Sequence, residues 1–257
     1  MSTILLAQDG AVATVTLSNP GKLNALSFAM WEQLAATFVL LSKDQSVRCV
    51  IVRGAGANFA AGADIEEFPQ LRNTIEQAIH YHESVIAAAL QAIAECLHPT
   101  IAAIEGACVG GGLEIACACD LRIASPAARF GIPINRLGFP LAPGELQGLL
   151  QLVGKARTLE ILLEGRVFDA AEARDKGLLQ RIADDAHSAA QEAATRICTG
   201  APHAARLNKA MVRRMTPTVA PLDHDELQAA FSFITTHDYR EGVQSFLDKR
   251  APIFTGK

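Results

Sequence analysis

Charge is scarce in this sequence and neither sign dominates: 19% of the 257 residues are charged, 27 acidic against 23 basic, for a net charge of -4. That balance leaves no electrostatic footprint for nucleic acid or for an anionic membrane. Long hydrophobic runs are lacking as well. The longest, from Val85 to Ile93, contains Gln91 and is followed by Glu95, far short of the roughly 20 residues a spanning helix needs. The opening MSTILLAQDG has no cationic stretch and meets Asp9 early, so no secretion signal is expected. Its six cysteines (49, 96, 108, 117, 119 and 198) include no CxxC pair, and Cys117 and Cys119 are poorly spaced for a metal on a helix. Buried, reduced thiols in a cytoplasmic protein are the expectation, with no metal site. GxGxxG and GK[ST] are both missing, which excludes the usual dinucleotide and P-loop phosphate sites. There is no internal repeat and no low-complexity segment.

What remains is a chain long and apolar enough to bury a full core. The β-branched run Ala11–Leu17, bounded by Asp9-Gly10 and Asn19-Pro20, reads as a strand. Ser27 is placed to cap a helix reaching about Ser42. The runs 47–53, 100–104 and 121–124 read as further buried strands, and a last one is expected at 178–182. Helices are expected over about 74–97 and 111–118. This alternation predicts an α/β layered fold with largely parallel strands. From Asp184 onward the pattern is helical, broken at Gly200-Ala201-Pro202 and at Pro217–Pro221. The division expected is an α/β core over 1–200 and a helical region over 201–257.

Two loops carry candidate chemistry. Phe59-Ala60-Ala61-Gly62-Ala63-Asp64-Ile65 follows a strand, and Gly106-Ala107-Cys108-Val109-Gly110-Gly111-Gly112-Leu113-Glu114 joins a strand to a helix. Small residues at such turns let backbone N–H groups approach a ligand, and a helix N-terminus adds partial positive charge.

Taken in order with Leu23-Asn24-Ala25-Leu26, Phe130-Gly131, Leu152-Val153-Gly154-Lys155, Asp238-Tyr239-Arg240-Glu241-Gly242 and Phe246–Arg250, these loops make the chain resemble the crotonase (enoyl-CoA hydratase/isomerase) superfamily over nearly its whole length. The resemblance implies a crotonase-like ββα superhelix with a C-terminal helical oligomerisation region, assembled as a homotrimer or a dimer of trimers. It implies an acyl-CoA thioester as substrate, with coenzyme A entering as part of that substrate and no separate cofactor. The N–H groups of Ala63 and Gly111 would form an oxyanion hole for the thioester carbonyl, and Glu114 would be a catalytic carboxylate. Leu23, Ala25, Ala61, Asp64 and Ile65 would flank the adenine and pantetheine, Asp64 anchoring its loop. Lys22, Lys249 and Phe254 would lie toward the nucleotide end.

One departure stands out. The second family glutamate would lie twenty residues beyond Glu114, where this sequence has Ile134. Glu145, at the start of an expected helix, is a candidate substitute. Hydration of a 2-enoyl thioester, with Glu114 as base toward water, is the first reading; isomerisation, decarboxylation or another enolate reaction is the second. A non-catalytic or RNA-binding relative is a third, resting on Arg206, Lys209, Arg213 and Arg214. His80 and His82 are expected at the surface or in packing roles, and His98 in a loop.

Overall fold

The computed structural model describes residues 2–257. Strand β1 (Thr3–Asp9) pairs antiparallel with β2 (Val12–Ser18), whose fully buried Ala13, Val15 and Leu17 alternate with half-buried Val12, Thr14 and Thr16. Helix α1 (Phe28–Lys43) follows, with Ser27 at its N-cap accepting from the Met30 N–H. Strand β3 (Cys49–Gly54) lies parallel to β2. Next come the short helices α2 (Phe68–Leu71) and α3 (Ile75–Ile79), a π-helical turn at His80–Ile86, and α4 (Ala87–Ala94). The single helix expected over 74–97 is therefore three joined segments.

Strands β4 (Thr100–Ile104) and β5 (Ala107–Val109) lead into α5 (Gly111–Ala118), followed by β6 (Leu121–Ala124) and β7 (Arg129–Gly131). A 3-10 turn at Pro133–Leu137 precedes α6 (Pro143–Glu164), which breaks at Gly154, where φ is 74°. Then follow β8 (Phe168–Asp169), α7 (Ala170–Asp175), β9 (Arg181–Ile182), α8 (Ala186–Thr199), α9 (Pro202–Met215), α10 (His224–Ala230) and α11 (His237–Leu247). The main sheet has the order β1-β2-β3-β4-β6-β9, parallel apart from β1, and β5, β7 and β8 form a small second sheet.

Alternate residues of the central strands serve two apolar layers, as the two-residue period of a strand requires. Val50, Val52, Ala102 and Ile104 face a large core with Trp31, Leu34 and Phe38 of α1. Cys49, Ile51, Ile101 and Ala103 face the opposite way, onto Ala186, Ala189, Ala190, Ala193 and Ala194 of α8. Those alanines recur at helical spacing, a narrow apolar stripe that lets α8 lie close on the sheet. Five thiols are buried in these layers and Cys198 is partly exposed. Where α5 crosses α6, Gly148 lies against Cys117: a Cβ built on the glycine would sit 3.4 Å from the Cys117 Cβ.

Helix α9 explains its basic stretch. Arg206 donates to Gln45 and the Val47 carbonyl, Lys209 to the His98 carbonyl and to Asp120, and Arg213 to the Ala94 carbonyl. These residues tie α9 to the body of the chain, which removes most of the support for an RNA-binding face. The other side of α9 shows Leu207, Met211, Val212 and Met215 to solvent. His98 sits in a loop but is fully buried, its Nε2 3.0 Å from the Leu41 carbonyl. Among the described residues no helix is long and apolar enough to cross a membrane.

Candidate active site

The two small-residue loops lie side by side. The Ala60 N–H donates to the Ala107 carbonyl (2.9 Å) and the Val109 N–H to the Ala60 carbonyl (3.0 Å). This approach demands glycine at 112, since a Cβ there would stand 2.3 Å from the Ala60 carbonyl oxygen. On the other side of the first loop, the Leu26 N–H donates to the Gly62 carbonyl and the Asp64 N–H to the Leu26 carbonyl, both at 2.8 Å. A bridge of this parallel kind engages the residues flanking Ala63 and turns the Ala63 N–H away from Leu26. Gly111 is the first residue of α5, and the first four N–H groups of a helix have no partner inside it. Among the described residues neither the Ala63 nor the Gly111 amide donates to a protein acceptor. Gly62 brings the loops together, a Cβ on it falling 3.8 Å from the Gly111 nitrogen.

Beyond these amides are two buried carboxyls. Glu114 is one turn into α5 and 7% exposed, and Glu145 is in the first turn of α6 and 6% exposed. Burial raises the Glu114 pKa well above the ordinary carboxylate range, and the neighbouring Glu145 charge raises it further. Burial also raises Glu145; Arg72 opposes that rise and Glu83 adds to it. Two acids that share a site in this way titrate as a pair.

Glu145 has a partner that was not anticipated. His82 lies within the π-turn, is 4% exposed, and places its Nδ1 2.5 Å from the Glu145 Oε1. Of the surface or packing role expected for His82, the surface alternative is corrected: the ring is packed between Tyr81 and Phe231 and also meets Glu145; His80 is exposed. Burial, aided by Arg72, holds the His82 pKa well below its usual value. That direction favours a hydrogen bond of a neutral imidazole over an ion pair, and the geometry fits either. Glu83, next in the same turn, accepts from the Gly144 N–H at the start of α6 (3.1 Å). Inserting an extra residue into a helical turn re-aims side chains, which is why such turns recur at functional sites.

A second unanticipated residue is Arg72, 2% exposed and set over the rings of Phe68 and Phe139. Ile134 occupies the 3-10 turn 133–137 as a half-buried apolar side chain packed on the core.

The remaining candidates lie toward the surface. Lys22 pairs with Asp64 (2.7 Å) and Glu66 (2.8 Å), while Asp64 also accepts from the Glu66 N–H. Leu23 is exposed with φ 49°, in a turn where the Ala25 N–H donates to Lys22 and the Ala61 N–H donates to Leu23. A leucine in the left-handed region is a strained residue. Ile65 begins a 3-10 turn directly after Asp64. Lys249 lines a cavity of about 440 Å³ with Glu66, Ser245, Phe246, Leu247 and Arg250. Phe254, 42% exposed, lies on the tail beyond it.

A layered α/β body that leaves two loop amides unpartnered and buries two neighbouring carboxyls, one of them on the helix that Gly111 begins, has the features of an enzyme's active site. The profile of the enoyl-CoA hydratase/isomerase family matches residues 7–257. A probable enoyl-CoA hydratase of Mycobacterium tuberculosis is 36% identical over 256 residues, covering 98% of each chain. Among solved structures, an enoyl-CoA hydratase/carnithine racemase of Magnetospirillum magneticum superposes with a TM-score of 0.82 at 45% identity, covering 100% of this chain and 97% of that one. A methylmalonyl-CoA decarboxylase in complex with 2-nitronate-propionyl-CoA superposes with a TM-score of 0.87 at 25% identity, covering 99% and 98%. The chain belongs to the enoyl-CoA hydratase/isomerase family, within the crotonase superfamily.

Proposed function

We propose that the chain is an enoyl-CoA hydratase adding water across the 2,3-double bond of an acyl-CoA thioester. The observation that carries this reading is the pair of free amides at Ala63 and Gly111 beside the coupled carboxyls Glu114 and Glu145. The thioester oxygen accepts from both amides and gains charge as the hydroxyl bonds to C3; each fixed donor contributes about 3 kcal/mol to that charge. The ionised member of the carboxyl pair takes the proton released by water. The protonated member gives its proton to C2 as the enolate collapses, so the pair ends with the same single proton. Arg72 opposes the rise of the Glu145 pKa and has no such effect on Glu114, so the charge is assigned to Glu145 and the proton to Glu114. Glu145 thus takes the place the resemblance gave to a glutamate at 134.

The same hole serves a second reading, enolate formation by decarboxylation or double-bond shift. Two observations favour it: Ile134 at the family's second glutamate position and the TM-score of 0.87 to a decarboxylase. No cofactor beyond the substrate's own coenzyme A is part of either reading. Lys22, Lys249 and Phe254 are proposed toward its nucleotide. The exposed apolar side of α9 is proposed as the contact between subunits of a trimer or a dimer of trimers, working in the cytoplasm.

The test is incubation with a panel of acyl-CoA thioesters in deuterated water, followed by mass analysis. Hydration adds one D2O to a 2-enoyl thioester. Deuterium at C2 without added water, or loss of CO2, supports the second reading, and an unchanged panel defeats both.

A further inference from the structure

Arg72 is out of place for a structural arginine. Its side chain is buried, and Nε, Nη1 and Nη2 have no acceptor among the described residues. Its Cζ lies 4.3 Å from the Phe68 ring centroid, 4.1 Å from Phe139, 5.0 Å from Tyr239 and 5.5 Å from Phe233. These rings stabilise a cation through their faces, but they offer nothing to the five N–H donors of a guanidinium. A buried charge without a hydrogen-bonding counter-group is a costly arrangement that lacks its partner.

The unpaired atoms extend beyond Arg72. The Tyr81 hydroxyl and the His82 Nε2 are also buried without a partner, and the rings connect them: Phe68 to Tyr81 at 6.2 Å and Tyr81 to His82 at 5.1 Å. This polar seam ends at the His82–Glu145 hydrogen bond, so it begins at the guanidinium and finishes in the carboxyl pair. Glu145 is engaged by His82 and forms no ion pair with Arg72. Arg72 caps the short helix α2, which follows the Ala63–Asp64 loop after one 3-10 turn. The segment that supplies the Ala63 amide thus also supplies, nine residues on, a buried cation that lacks an acceptor, with the Tyr81 phenol near it lacking one too.

We propose that Arg72, with Tyr81 beside it, receives a carboxylate carried by the acyl group, so that the preferred substrates are mono-CoA thioesters of dicarboxylic acids. A carboxylate accepts two parallel N–H bonds from a guanidinium edge and leaves the stacking on Phe68 and Phe139 undisturbed. This inference rests on the acyl-CoA reading above and sharpens its substrate class.

The experiment compares 2-enoyl-CoA thioesters ending in a carboxylate with equal-length thioesters ending in a methyl group, using the whole wild-type protein and Arg72→Lys and Arg72→Met variants checked by circular dichroism. Saturated carboxylate-ended and methyl-ended thioesters serve as competitive inhibitors of the wild type, so that the result does not depend on the variants folding. The carboxylate-ended compounds are expected to bind the wild type roughly 10- to 100-fold more tightly, and Arg72→Met to lose that preference mainly through KM. Arg72→Lys, which keeps the charge but not the fork, should recover only part of it. Equal binding of both series by the wild type overturns the proposal while leaving the hydratase reading intact. An equal fall in kcat on both series, with a shifted pH profile, also overturns it and makes Arg72 a positioning residue for Glu145. No turnover or binding of either series defeats the acyl-CoA reading itself.

Discussion

Glu114 and Glu145 sit on different helices, both are buried, and under the proposed reaction they act as one acid–base unit. Glu114→Gln and Glu145→Gln should each lower kcat by roughly 10²-fold or more, and the double variant little further, because residues acting as a unit are not additive. Steady-state kinetics on the thioester that the wild type turns over checks this. Normal turnover in a folded Glu145→Gln would return the chemistry to Glu114 alone. The pair also predicts a pH effect on stability. Both carboxyls are harder to ionise in the fold than in the unfolded chain. The native state therefore holds more protons above the ordinary carboxylate range of about 4.3, and the stability this gives is lost as pH rises through the folded values. Urea unfolding at several pH values should show that decline in the wild type and a flatter one in Glu114→Gln. At this scale the sequence was partly legible. Ala63, Gly111 and Glu114 stand in motifs whose order along the chain carries the family resemblance, and Glu145 stands at a helix start. Arg72 and His82 do neither: what makes each unusual is burial against residues distant in sequence, such as Glu145, which follows His82 at a separation of 63. A lone arginine or histidine in a helical stretch has no local mark of that.

Elements were legible where one physical signal dominated. Strands β2, β3, β4 and β6 and helices α1 and α5 fall within a residue or two of expectation, since buried β-branched runs and a serine cap speak for themselves. Strand β1 did not, because it is an edge whose Leu5 and Leu6 face solvent, so no burial pattern marks it. Strands β5, β7 and β8 have only two or three residues each, too few for a two-residue period to show. The π-turn was invisible because helical periodicity continues on both sides of it. The close approach of the two loops is the element-scale feature most open to test. Gly112→Ala would press a methyl group against the Ala60 carbonyl and push the amides of Ala63 and Gly111 apart. Overpacking of that kind costs about 1–3 kcal/mol, and kcat should fall more than CoA binding does. Chemical denaturation and kinetics together check it; wild-type stability and rate would mean that the loops have slack.

For the molecule as a whole, the layers around the sheet decide which atoms meet solvent at all, and the cysteines record this. Burial pushes the Cys49, Cys117 and Cys119 thiols up to about 12, so at neutral pH they are both sheltered and fully protonated, two barriers to an alkylating reagent that attacks only thiolate. Reaction must then wait for the chain to open, and the order of labelling becomes a clock for which layers part first. In native buffer, iodoacetamide followed by peptide mass spectrometry should mark Cys198 first. Cys117, held in the seam between α5 and α6, should be marked no faster than the whole chain unfolds, and a tight-binding thioester should slow it further. If Cys117 reacts as quickly as Cys198, that seam opens on its own, and the carboxyl pair is bathed in water between encounters with substrate.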